Sequence, residues 1–237
     1  MKRLFDEAQP EWMDQPNPDP AALELDLHNL EKINRWFGGR RAVRRLWERV
    51  GARRSSFSLI DLATGFGDHP RALVQAARRK GQILKIYAVD RQYATLQLAR
   101  KETDPGDGIF YIQADVRALP FKDASVDGVF CTLALHHFGE GDAIQILREM
   151  KRLGRQAVVC LDLERSWLAV VAIWLLTVIW MRNPMTRHDA RLSVRRAFSE
   201  AELKLLAGEA GWSSFWHARF RLFRQAIGRE ESSDAYS

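Results

Sequence analysis

Apolar residues recur at two different spacings along this chain, and the change from one to the other divides it. Between residues 21 and 37, Leu23, Leu27, Leu30, Ile33 and Phe37 return every three or four positions, which predicts a helix with one apolar face. Gly38-Gly39 ends it. "RRAVRRLWERV" then predicts a second helix, with Val43, Leu46, Trp47 and Val50 on one side and Arg40, Arg41, Arg44, Arg45 and Arg49 on the other. Such a row of arginines is either a solvated face or a patch for phosphate or lipid headgroups. Ahead of both helices, residues 6–20 carry Pro10, Pro16, Pro18 and Pro20 among Asp, Asn and Gln, and read as an extended arm.

From residue 57 the pattern changes. "FSLIDL", "ILKIYAVD", "IFYIQAD", "VDGVFCTLAL" and "QAVVCLDL" are short, nearly continuous apolar runs; "RALVQAARR", "QYATLQLARK" and "DAIQILREMKRL" have helical spacing. This alternation predicts an α/β fold whose parallel sheet is covered on both faces. Ligands of such sheets bind beyond the carboxyl ends of the strands. Those ends carry Asp61, Asp90, Asp115 and Leu135-His136-His137.

After the fifth strand comes an apolar insertion, residues 165–198. Residues 167–181 are apolar all round except Thr177. As a helix they would measure about 22 Å, short of the ~30 Å hydrocarbon core of a bilayer. The stretch is either a buried helix or a lid over a lipophilic acceptor that touches a membrane. Trp167, Trp174 and Trp180 suit an interfacial position, with Arg165 and Arg182 at the ends. Ser199 and Glu202 then form a capping box. "WSSFWHARFRLFRQAI" supplies two last strands, expected as a hairpin completing the sheet.

Composition changes little in this picture. The chain has 237 residues, 46% of them hydrophobic, and a net charge of +6. That balance permits an anionic membrane or nucleic acid as partner without selecting either. The start turns acidic where a secretory core would stand, which predicts a cytoplasmic protein. Cys131 and Cys160 sit inside apolar strands without metal-ligand spacing, and no metal is expected.

The candidate chemistry centres on "LIDLATGFGDHP", residues 59–70. A glycine-rich turn between a strand and a helix brings a ligand close to free backbone N–H groups. Both dinucleotides and S-adenosylmethionine use such turns, and Asp90 at the next strand end suits the ribose of either. Further on stands "LPFKDASVDGVFCTLALHHF". With Asp115 ahead of it, this block resembles the class I S-adenosylmethionine-dependent methyltransferases, and most closely the small-molecule enzymes near the ubiquinone/menaquinone-biosynthesis methyltransferases. The likeness extends from about residue 29 to 225.

The resemblance implies a Rossmann-like doubly wound, mostly parallel seven-stranded sheet with an antiparallel last hairpin. It also implies a helical lead-in and S-adenosyl-L-methionine as cofactor, released as S-adenosyl-L-homocysteine. Carried over, it places Asp61, Ala63, Gly65 and Gly67 at the methionyl end, and Asp90 and Arg91 at the ribose. Asp115 and Val116 fall at the adenine, and Leu133 over the sulfonium. Ala63 stands where the family has glycine, and an alanine tolerates close packing there but not a positive φ. The chain divides into an arm and helical cap (1–54), the cofactor-binding domain (55–228) and a loose polar tail (229–237).

The expected reaction is methyl transfer to a lipophilic small molecule, a phenol or quinol-type acceptor, on oxygen or carbon. The partners expected are that acceptor and a peripheral membrane contact. A hydroxyl nucleophile needs its proton removed, and histidine suits this near neutral pH. His188 and His137 are the candidates, with His136 beside them; His69 and His217 read as structural or exposed. A nucleic-acid methyltransferase and a non-catalytic S-adenosylmethionine-binding protein are the alternatives. No aromatic-basic binding module supports the former.

Overall fold

The structure, a computed structural model, describes residues 1–15, 18–51, 54–179 and 183–230. Five strands run parallel: β1 (Ser56–Leu62), β2 (Ile83–Asp90), β3 (Ile109–Gln113), β4 (Val126–Thr132) and β5 (Gly154–Leu163). β6 (Trp216–Phe220) and β7 (Arg224–Glu230) form an antiparallel hairpin whose β7 pairs with β5. The resulting seven-stranded sheet has the order β3-β2-β1-β4-β5-β7-β6. The chain runs outward from β1 on one side and returns to β4 on the other, so a topological switch point lies between β1 and β4.

Continuous apolar runs form these strands because both faces are covered. Leu59 and Ile60 are neighbours and both fully buried, yet they belong to opposite cores. Leu59 meets α2 (Gly39–Val50) and α3 (Asp68–Arg78), through Val43, Trp47 and Leu73. Ile60 belongs with α5 (Glu140–Leu153) and α8 (Glu200–Glu209), through Leu147, Leu203 and Leu206. Truncating either to alanine removes a side chain from a closed layer, at about 2–5 kcal/mol. Cys131 and Cys160 are paired in register on β4 and β5, buried and unbridged.

Three of the four remaining helices lie over the carboxyl ends of the strands, and one packs beside β2 and β3. α1 (Pro20–Trp36) starts where the Asp19 side chain accepts the Ala22 N–H at 2.8 Å, with Pro20 in the first turn. α4 (Tyr93–Lys101) follows β2, and α6 (Trp167–Ile179) and α7 (Pro184–Arg196) follow β5. Thr186 of α7 donates to the buried Asp26 of α1, joining the two helices. Burial raises the Asp26 carboxyl to about 6 against this bond. The Ser199–Glu202 capping box opens α8 as its spacing predicts.

Three expectations change. The arm is extended but anchored, with Leu4 N–H donating to Arg195 O at 3.2 Å and Arg3 Nη2 to Phe138 O at 2.7 Å. Arg165 is a buried strut, bonded to both Glu202 oxygens and to Ala197 O, and not a free charge at the end of the insertion. Arg229 and Glu230 belong to β7, so the ordered fold reaches beyond residue 228. Trp180, Arg182 and residues 231–237 lie outside the described residues.

Candidate active site

β1 ends at Leu62, and the chain turns through Ala63-Thr64-Gly65-Phe66-Gly67 into α3. Ala63, Gly65 and Gly67 have φ of +50°, +53° and +70°. Glycine enters that region freely, whereas an L-residue does so at a cost of about 1–2 kcal/mol. The alanine expected to avoid a positive φ therefore adopts one. Its neighbour holds it there: Thr64 N–H donates to Val89 O at 2.9 Å, and Thr64 Oγ1 to Asp61 Oδ2 at 2.6 Å.

Asp61 and Gly67 stand behind the turn and do not line the cavity above it. Burial pushes the Asp61 carboxyl up to about 7 against the Thr64 hydrogen bond. A Cβ on Gly67 would meet the Tyr111 hydroxyl at 2.3 Å, so this glycine is required by packing as well as by its φ. Gly65 is different. A Cβ there meets nothing within 4 Å, because it opens onto the cavity.

The other strand ends converge on the same space. Asp90 Oδ2 accepts the Gly65 N–H at 2.9 Å, and Oδ1 accepts the Gln92 N–H at 3.0 Å. Burial raises its pKa above the ordinary carboxylate value against these two bonds. Arg91 lies beside it, 3.9 Å from Asp14. Asp115 is bonded by Arg117 through both oxygens, and those hydrogen bonds hold its carboxyl below the usual range. Val116 is buried next to it. Beyond β4, Leu133 takes φ +54° while its N–H donates to Leu161 O at 2.7 Å, turning the chain away over the cavity. Ala63, Gly65, Asp90, Arg91, Asp115, Val116 and Leu133 all line one cavity of about 900 Å³.

The histidines separate. His136 and His137 both line this cavity, in the short helical turn Leu135–His137. His136 is buried, with Nδ1 2.6 Å from Asp162 Oδ1 on β5 and its own backbone N–H donating to the other Asp162 oxygen. His137 Nδ1 lies 2.7 Å from Asp14. Burial acts to lower the His137 pKa, but the Glu11 and Asp14 carboxylates outweigh it and push it up to about 10. His188 does not reach the cavity. Its ring stacks on Trp12 with centroids 4.4 Å apart, and it borders a separate groove. His69 is buried against Asp68 and lines the cavity, and burial lowers its pKa. His217 bonds Gln225 on the hairpin.

Several lining residues carry no motif. Glu11 is buried and accepts from Ser193 Oγ at 2.7 Å; Asp189 accepts the Trp12 and Met13 N–H groups. These bonds lay the arm across the mouth of the cavity. The opposite walls are apolar, with Leu27, Leu30 and Ile33 from α1 and Ala172, Ile173 and Leu176 from α6. A short proline-rich run alone does not signal that role.

Residues 60–161 match the family described as "Methyltransferase domain". The ubiquinone/menaquinone biosynthesis C-methyltransferase UbiE of Hahella chejuensis is 34% identical over 131 residues, 52% of this chain and 51% of that protein. The 2-phytyl-1,4-naphtoquinone methyltransferase of Thermosynechococcus vestitus is 35% identical over 104 residues, 42% of this chain and 44% of that one. The chain thus spans about half the length of the curated relatives it matches. In fold, it superposes on a SAM dependent methyltransferase from Aquifex aeolicus with a TM-score of 0.61 at 17% identity, over 89% of this chain and 97% of that one. Residues 60–161 thus match a methyltransferase domain, and the chain is similar in sequence to the ubiquinone/menaquinone C-methyltransferases and in fold to a SAM dependent methyltransferase.

Proposed function

We propose that this protein transfers a methyl group to a lipophilic small molecule of the phenol or quinol type. The observation that carries this reading is the division of the cavity. Its floor is polar, built from Gly65, Asp90 and Asp115; its far walls are the apolar faces of α1 and α6; and the His136–Asp162 pair stands at the cavity wall.

The floor fits the cofactor. Gly65 leaves open space above the turn, and each Asp90 oxygen keeps a further lone pair beyond its backbone bond. Asp90 would hold the ribose hydroxyls, Asp115 and Val116 the adenine, and Ala63, Gly65 and Leu133 the methionyl and sulfonium end. When bound, S-adenosylmethionine supplies an electrophilic methyl on a positive sulfur.

The chain's own residues supply alignment and proton removal. Asp162 holds the ring proton on Nδ1 of His136, leaving Nε2 to take the acceptor's hydroxyl proton. Alignment between floor and walls contributes on the order of 7–11 kcal/mol in such displacements. His137, carrying its proton beside Asp14, holds the arm closed and is not the base in this arrangement. Two curated relatives are named for ubiquinone/menaquinone biosynthesis and for 2-phytyl-1,4-naphtoquinone, which supports the quinol-type acceptor.

The test is incubation with methyl-labelled cofactor and cell extract, separated into lipid, nucleic-acid and protein fractions. Label in the lipid fraction, chased by a short-chain quinol, is expected. Label confined to nucleic acid or protein would sink the reading.

A further inference from the structure

We propose that α6 and α7 together form a docking surface for an anionic lipid bilayer, α6 entering the headgroup–acyl boundary while Arg187 and Arg195 take lipid phosphates.

The insertion helix has two faces although its sequence shows none. Ala172, Ile173 and Leu176 face the cavity, and Ala169 and Thr177 are buried. Trp167, Leu168, Val171, Trp174, Leu175, Val178 and Ile179 are all exposed, between 47% and 70%. At 100° per residue these seven fall on one arc of about 140°. An apolar strip this continuous marks an interaction surface, because a monomer in water rarely leaves one open. Among the described residues no helix is long and apolar enough to cross a membrane. A helix of this composition instead lies in the interface, where tryptophan is at home.

Charge selects the partner. Arg187, Arg191 and Arg195 recur at helical spacing on α7 and line a groove of about 410 Å³. None of the three is ion-paired among the described residues; Arg195 is exposed and Arg187 half-buried, whereas one guanidinium nitrogen of Arg191 is buried between α7 and α6. The groove adjoins the apolar strip: Arg191 Nε donates to Thr177 Oγ1 at 2.8 Å, and its guanidinium stands 5.9 Å from the Trp174 ring centre. The acid on the same turn, Asp189, is buried and engaged by the arm and by the His188 ring. An apolar strip bordered by unpaired arginines complements an anionic bilayer and repels a second basic copy of itself. Only α6 then separates the cavity from the lipid. The inference stands apart from the identity of the acceptor, because vesicle binding is read without turnover.

The experiment floats the full chain with phosphatidylcholine vesicles, with and without phosphatidylglycerol. Binding is expected to the anionic vesicles, weakening as salt is raised. Arg187→Glu/Arg195→Glu and Trp167→Asp/Val171→Asp, all at accessible positions, should each weaken partitioning by about tenfold or more. Arg41→Glu/Arg45→Glu, the same charge change on α2, should leave it within about threefold. Three results would overturn the proposal: no binding to anionic vesicles, equal loss in the α2 variant, or a stable dimer in light scattering that Trp167→Asp/Val171→Asp dissociates.

Discussion

His137 and Asp14, 123 residues apart in sequence, meet through Nδ1 and a carboxylate oxygen at 2.7 Å, and this contact ties the arm to the end of β4. Burial raises the Asp14 pKa, but the imidazolium outweighs it and leaves the carboxyl below its ordinary value. His137 moves the other way, to about 10. A raised histidine stabilises fully below its unfolded pKa near 6.5, and that stabilisation is lost as pH climbs through about 10. The lowered Asp14 contributes above its unfolded value of 3.8 and loses its contribution as pH falls below it. The latch is therefore intact at neutral pH and opens in alkali. Asp14→Asn should cost about 1–3 kcal/mol at pH 7. Thermal unfolding should show a smaller drop between pH 8 and 10.5 in this variant than in the wild type. Parallel curves would mean the pair does not hold the arm.

Asp90→Ala should weaken S-adenosylmethionine binding by about 1.5–3 kcal/mol, the range for hydrogen bonds to a charged group. The variant also strips a partner from the Gly65 N–H, so the turn itself loosens. Titration calorimetry on the folded variant reads the loss. Wild-type affinity would remove the ribose assignment.

Ala63→Gly should stabilise the protein. The left-handed alanine carries about 1–2 kcal/mol of strain, offset in part by the greater freedom of glycine in the unfolded chain. A net gain of about 0.5–1 kcal/mol in urea unfolding is expected. A destabilised variant would show that the φ of +50° costs nothing in this turn.

His136→Ala should lower the turnover number by about 10²–10⁴ while leaving cofactor affinity unchanged. Raising pH towards the acceptor's own pKa should partly restore the rate, since solvent then removes the proton. Asp162→Asn should act in the same direction through the ring it orients. His188→Ala should stay within about twofold of wild type. A strong effect at His188 with none at His136 would return the base to α7.

The strand–helix alternation, the glycine turn and the strand-end acids were legible because each is a local pattern. Asp61, Gly65 and Asp90 announce themselves within a few residues of a strand's end. Glu11 and Asp14 gave no such signal, since what makes them part of the site is contact with residues more than 120 positions away. His188 was misplaced by one helical step. Adjacent residues on a helix point about 100° apart, so Asp189 turns inward to the arm while His188 turns out onto Trp12. The two faces of α6 could not be told apart by composition, because the cavity and the outside are both met by apolar side chains.

The anchored arm also orders events in time. Ser193 closes on Glu11 from 182 residues further along the chain. At ordinary rates of synthesis that separation is roughly 10–40 s of translation. Throughout that interval Glu11 lacks its Ser193 partner, while Asp14 can meet His137 as soon as the end of β4 is made. The arm over the pocket is thus made before α7, the helix that completes its anchorage. A ribosome stalled before α7 would hold an arm tied at His137, with Glu11 still unmatched.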